Sequence, residues 1–255
     1  MTDDISKREI DVDELVAQVD TGARSVPGSV GLIIAGLAFL WSVFQLYVAS
    51  NVPFWITENF GIHAVFNNFD VRVIHLAFAL TLAALAYPLF KSADRHHVPW
   101  YDWLLAALGI YACLYLIVFD DAISARAGLP TTSDLVAATI GMVVLAISVY
   151  RALGLPLVIV AGVFVCYVFF GHSTWLPEAI QWKGASYGKA MWHYWMQTEG
   201  VFGGARGVSA SMILLVVLLG WLLEPAGARD YFIKPASSLL AHLRGGPHTT
   251  AVDDA

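Results

Sequence analysis

VGLIIAGLAFLWSVFQLYVAS, residues Val30–Ser50, decides the fold class, because the run holds no charged residue. A bilayer core about 30 Å thick needs roughly 17–25 apolar residues per helix, and this run alone meets that length. Comparable stretches follow at Val71–Leu89, Trp103–Phe119, Leu135–Tyr150, Leu153–Phe170 and Val208–Leu223. Arg72 stands near the start of the second. The fourth and sixth are at the short end, and flanking Thr, Ser and Ala extend them. The strands of an outer-membrane barrel alternate apolar and polar residues. These runs are continuously apolar, so helices must satisfy the backbone inside the bilayer. The expectation is an all-α, polytopic helical membrane protein with about six transmembrane helices.

Composition agrees. Hydrophobic residues make up 58% and charged residues 13% of the 255 residues, whereas soluble domains hold about 45–50% and about 25%. Such a chain is too apolar to be disordered. Its 2 cysteines exclude a disulfide scaffold. A net charge of −6 argues against nucleic acid as a partner, since phosphate binding needs clustered Lys and Arg. The lipid bilayer is the first expected partner.

Residues 1–27 are polar and acidic and read as a cytoplasmic tail; the apolar run starts too late and is too long for a signal peptide. Residues 28–170 form a helical membrane region of five spans, 171–207 an aromatic-rich outer connection, and 208–247 the sixth span with a polar stretch after it. With the N-terminus inside, the inner segments hold nine of the 14 Lys and Arg residues and the outer segments five. This bias predicts N-in and C-in. Pro130 followed by Thr131, Thr132, Ser133 and Asp134 is an N-cap cluster for the fourth span. Asp102 reads as a cap of the third. Tyr150, Arg151, Ala152 and Leu153 leave little room for a loop, so the fourth and fifth spans form a tight antiparallel hairpin, with Gly154 and Pro156 helping the turn. The connection carries Trp175, Trp182, Trp192 and Trp195, with Tyr187, Met191, Trp195 and Thr198 at helical spacing. Two readings stand: an amphipathic helix lying in the outer interface, or a cap packed over the bundle.

Chemistry-bearing residues are few. Ionisable groups inside a membrane are costly and often functional. Arg72 and His75 share one face near the outer edge of the second span. Arg72 is read either as a partner of Asp70, Asp120 or Asp121 or as an interfacial snorkelling side chain. His75 reads as structural ahead of haem-ligating, because His63, His172 and His193 fall in outer loops and His96 and His97 inside, leaving no second deep histidine. Cys113 and Cys166 lie within spans as small hydrophobes. Gly203, Gly204 and Gly207 are no dinucleotide fingerprint, since no strand precedes them. Pro156 and Gly162 do not make the broken midplane helix of a secondary transporter. No enzyme is expected, and no bound cofactor or metal.

Seven segments in order resemble one family: RVIHLAFALTLAALAYPLF at Arg72–Phe90, VPWYDWLLAALG at Val98–Gly109, RAGLPTTSDLV at Arg126–Val136, YRALGLPL at Tyr150–Leu157, TEGVFGGARGVSA at Thr198–Ala210, LLGWLLEPAGARDYF at Leu218–Phe232 and RGGP at Arg244–Pro247. Together they look like the N-terminal part of the fused permeases of TAXI-type TRAP (tripartite ATP-independent periplasmic) transporters, in which a four-helix small-subunit part joins a twelve-helix large part. The resemblance implies import of small organic acids across the bacterial inner membrane, by symport driven by a sodium or proton gradient. It implies a helical scaffold role for this region, with residues 208–247 holding the start of the large-permease part. The partners it implies are a large permease part, which holds the substrate and cation sites, and a periplasmic TAXI-type substrate-binding protein. After Pro247 the divergent end His248–Ala255 lacks the small-residue hairpin of the family, so no catalytic, cofactor, metal or substrate-binding residue is carried over. The expectation is a truncated fused permease or one half of a split one. The alternatives are a haem-bearing membrane subunit of an electron-transfer complex and a ligand-free membrane assembly factor.

Overall fold

The computed structural model describes residues 23–89, 95–174, 176–223, 227 and 231. Most of the predicted acidic tail, Trp175 and the RGGP segment with the divergent C-terminal end lie outside the described residues. Among the described residues the chain is all-helical, without a strand. The longer helices are α1 (Gly28–Ala49), α3 (Asn68–Ala86), α4 (Trp100–Val118), α6 (Thr132–Leu153) and α7 (Leu155–Phe170). Shorter ones are α2 (Val52–Phe60), α5 (Asp120–Ala125), α8 (Tyr187–Trp195), α9 (Gly204–Val208) and α10 (Leu214–Leu223). A π-helical turn at Ser209–Ile213 joins α9 to α10.

Five helical runs among the described residues are long and apolar enough to cross a membrane: α1, α3, α4, α6 and the run Gly204–Leu223. The fifth predicted span falls short. Helix α7 has 16 residues, about 24 Å at 1.5 Å per residue, because Gly154 ends α6 and opens α7 at once. Gly154 is the whole connection, with φ +85°, a left-handed value that a side chain would strain. Pro156 sits in the first turn of α7, where its missing N–H costs nothing. The tight hairpin is therefore present.

Local chemistry places the other ends too. Thr131 caps α6 through a reciprocal box: its hydroxyl accepts from the Asp134 N–H (3.4 Å), and the Asp134 carboxylate accepts from the Thr131 N–H (2.8 Å). Asn67 caps α3 by accepting from the Asp70 N–H at 2.7 Å. Helix α2 is a nine-residue element that no long apolar run announces; Pro53 opens it and Gly61 closes it in the left-handed conformation.

The core lies where α3, α4 and α6 meet and α8 packs onto α6. Val73, Leu76, Leu80 and Ala84 of α3 face Ala106, Ala112, Cys113 and Leu116 of α4 and Ala137, Ala138 and Val144 of α6. Small residues let the backbones approach, as in membrane bundles generally. A Cβ on Gly109 would stand 3.3 Å from both Leu80 and Val144. Helix α7 has no buried residue. The described residues from Ser211 onward belong to a second unit. Its helix α10 exposes Val216, Trp221 and Leu222.

Within the aromatic-rich connection, α8 packs against the bundle through one face. Trp195 is fully buried, its indole N–H donates to the Ala112 carbonyl (3.2 Å), and its ring fills the space that a side chain at Gly141 would occupy. Met191 and Trp192 are buried beside it, while Tyr187 at the start of the helix stays exposed and hydrogen-bonds Thr139. Trp182, outside α8, donates to the Tyr167 carbonyl at 3.1 Å. Of the four residues at helical spacing, Met191 and Trp195 turn into the bundle, while Tyr187 and Thr198 stay exposed.

Candidate functional site

Three polar clusters lie within the apolar bundle. The first gathers Arg24, Asp102 and Arg151 from three distant parts of the chain. One oxygen of Asp102 meets the Arg24 guanidinium and the other that of Arg151, each at 2.7 Å, and all three side chains are buried. Asp102 does not cap its helix, as the sequence suggested: Pro99 holds the cap position and Asp102 lies within the first turn of α4. The arginines also serve the end of α3. Arg151 donates to the carbonyls of Ala84 (3.0 Å) and Tyr87 (3.2 Å), Arg24 to that of Leu85 (3.2 Å), and the Arg24 backbone N–H to that of Ala86 (2.7 Å). The last carbonyls of a helix have no partner within it and favour a nearby cation, while its first turn favours an anion. The cluster thus ties the segment before α1, the end of α3, the start of α4 and the end of α6 at one point.

The second cluster stands at the opposite end of α6. Asp134 takes both a bidentate Arg126 contact (2.9 and 3.1 Å) and the Tyr115 hydroxyl (2.7 Å). The hydrogen bond to Asp134 pushes the Arg126 guanidinium above its ordinary pKa, so it stays protonated throughout. Tyr194, partly covered in α8, has its phenol raised by burial.

The third cluster centres on His75. The Trp41 indole N–H reaches its Nδ1 at 3.2 Å, the Gln45 carboxamide nitrogen reaches the same atom at 2.6 Å, and the Ser209 hydroxyl lies 3.2 Å from Nε2. An indole N–H only donates, so Nδ1 is the acceptor. Nε2 therefore carries the proton and donates to Ser209. Both ring nitrogens are engaged by protein groups. Gln45 is itself 3% exposed, a buried amide inside an otherwise apolar α1.

Arg72 pairs with none of the aspartates proposed for it. Its guanidinium donates to the Phe202 carbonyl at 2.8 Å and packs against Gly207, where an added Cβ would come within 2.9 Å. It anchors the turn before α9. Asp120 instead acts on Asp70 as a nearby like charge, and Asp121 is exposed. His63, His97, His172 and His193 are exposed; His96 contacts the Ser25 carbonyl. Cys113 is buried and Cys166 exposed, both as free thiols. Gly203 and Gly204 flank the start of α9. Among the described residues no group of three or more His, Cys, Asp or Glu could hold a metal ion.

Sequence reasoning missed Arg24, Gln45 and Arg151. The available signal was electrostatic: Arg151 in the last turn of α6 and Asp102 in the first turn of α4 are charges at apolar helix ends.

Comparison with protein-family models, with curated proteins and with solved structures finds no match. The fold and clusters define a class. Among the described residues the protein is all-helical, with several helices apolar enough to cross a membrane, consistent with a multi-pass membrane protein.

Proposed function

We propose that this chain is the scaffold component of a TRAP-type importer of small organic acids, placed in the bacterial inner membrane with both ends inside. The observation that carries the reading is the ordered set of seven segments from Arg72 to Pro247. The packing supports it. Several of those segments supply the points where the bundle is tied: Arg72 to the Phe202 carbonyl, and Asp102 to Arg151. On this reading substrate and coupling ion, sodium or proton, are handled by the large permease part, and a periplasmic TAXI-type binding protein delivers the substrate. The exposed apolar faces of α1 and α7 are then shared between lipid and that large part.

The haem-subunit alternative is the weaker one. It requires His75 to release Ser209 or its two Nδ1 partners before binding iron. A visible spectrum of the purified chain separates the two, since a Soret band belongs only to the haem reading.

The direct test reconstitutes the purified chain in liposomes under a sodium or proton gradient, alone and with a large TRAP permease part and its binding protein. The expected result is no organic-acid uptake by the chain alone and stable co-purification with the large part. Robust uptake by the chain alone, or no association with any large part, overturns the proposal.

A further inference from the structure

Where α3 packs on α9, two guanidiniums meet without a counter-charge. Arg72 of α3 lies over Gly207, where an added Cβ would stand 2.9 Å from its Nη2 and 3.1 Å from its Nε. Only Nη1 of Arg72 is engaged, by the Phe202 carbonyl. Arg206 is the residue before Gly207, and its guanidinium makes no hydrogen bond or ion pair among the described residues. Its positive charge acts on His75 of α3 and Cys113 of α4, so it stands beside the bundle. Ser209, three residues on and so on the same helical face, accepts the His75 Nε2–H at 3.2 Å. Its own hydroxyl proton is left to donate.

Charge and position both point to a ligand. Partly buried charges are normally paired, and in this bundle Arg24, Arg126 and Arg151 each hold a carboxylate. Arg72 and Arg206 hold none: Asp70, in the first turn of α3, and Glu199, before α9, form no ion pair with them among the described residues. Both arginines are half-buried, and their free nitrogens are not sealed from the surface. The run Gly204–Leu223 has 20 residues, about 30 Å at 1.5 Å per residue, which matches one hydrocarbon core. Arg206, near its start, and Arg72, in the second turn of α3, therefore stand at the edge of that core, at the depth of the lipid phosphates.

We infer that Arg72, Arg206 and Ser209 form a binding site for a phosphate group, supplied by the headgroup of an anionic membrane lipid. The Arg206 fork takes two phosphate oxygens, a geometry that guanidinium and phosphate share. The free edge of Arg72 adds the second positive charge, and the Ser209 hydroxyl donates to a remaining oxygen. Gly207 keeps the site open, because a side chain there would displace the Arg72 guanidinium. The inference needs the bundle to lie in a bilayer, and it does not rest on the transport proposal.

The test titrates the full chain in neutral detergent with dioleoylphosphatidylglycerol and counts lipid adducts by native mass spectrometry. A galactolipid with the same acyl chains and no phosphate is the control, and inorganic phosphate is the competitor. One saturable phosphatidylglycerol site per chain is expected, with the galactolipid at least about tenfold weaker, the scale of a lost charge-assisted hydrogen bond. Arg206→Gln is expected to weaken phosphatidylglycerol binding by about tenfold or more. That variant removes no hydrogen bond or ion pair within the described protein, so it is expected to fold, and helical circular dichroism with monodisperse elution checks this. Millimolar inorganic phosphate is expected to leave the lipid bound; displacement would overturn the lipid as the source of the phosphate group. Absence of a saturable site, equal binding of the galactolipid, or unchanged affinity in folded Arg206→Gln overturns the inference.

Discussion

Helices α4 and α7 are both continuously apolar, yet they meet opposite fates. Along α4, Ala112, Cys113 and Leu116 are at most 1% exposed, whereas along α7 Val163 is 61% and Phe164 66% exposed. Apolarity therefore does not decide which helix packs. Lipid is as apolar as a leucine side chain, so helices in a membrane associate through close packing and hydrogen bonds rather than water exclusion. Helix α4 has both. Gly109 and Ala112 bring its backbone close to its neighbours, Asp102 ties its first turn to two arginines, and Tyr115 reaches Asp134. Within α7 the hydrogen bonds and ring contacts to other segments gather at its far end, at Tyr167 and at Phe169, which stacks on Tyr187, while its small residue Gly162 faces open space.

The comparison breaks first at Asp102. Asp102→Ala leaves two buried guanidiniums without an anion and is expected to destabilise the bundle by about 3–5 kcal/mol. The check is the thermal unfolding midpoint in detergent. The triple change Arg24→Met, Asp102→Leu, Arg151→Leu removes the charges together and is expected to recover most of that loss. A triple variant as unstable as Asp102→Ala would point to the carbonyl contacts at the end of α3, and not the stranded charge, as the larger effect. Gly141→Leu comes next. It drives a side chain into the Trp195 ring, at a cost of about 1–3 kcal/mol, and tryptophan fluorescence should shift as the indole is displaced. Unchanged emission would contradict the seating of Trp195 against α6. On α7, Val163→Ala should change the stability of the isolated chain, read from its unfolding midpoint, by no more than about 0.5 kcal/mol. A larger loss there would mean that α7 already packs on protein.

The same contrast explains what could be read from the sequence. Long apolar runs mark α1, α3, α4 and α6, because helix length in a bilayer is set by thickness. The capped start of α6 at Thr131 and the Gly154 hairpin are local chemistry and were equally legible. The tie between Arg24, Asp102 and Arg151 was not, because each residue has a sufficient local reading: a tail charge, a helix cap and a cytoplasmic-side arginine. Nothing local joins them. Trp195 misleads for a related reason. Its spacing defines a face of α8, but whether that face meets headgroups or protein depends on Gly141 and Ala112, which lie on other helices. Arg72 likewise had acidic neighbours close in sequence and found a backbone carbonyl far from it.

The most direct test uses the two native thiols. Cys113 on α4 is fully buried and Cys166 on α7 is exposed, both free. A small apolar maleimide is added to the folded chain in detergent micelles, and the sites of modification are followed by mass spectrometry. The packing difference predicts one rapid label per chain, at Cys166, with Cys113 modified only on unfolding. Equal rates at both thiols, or Cys113 reacting first, would contradict it.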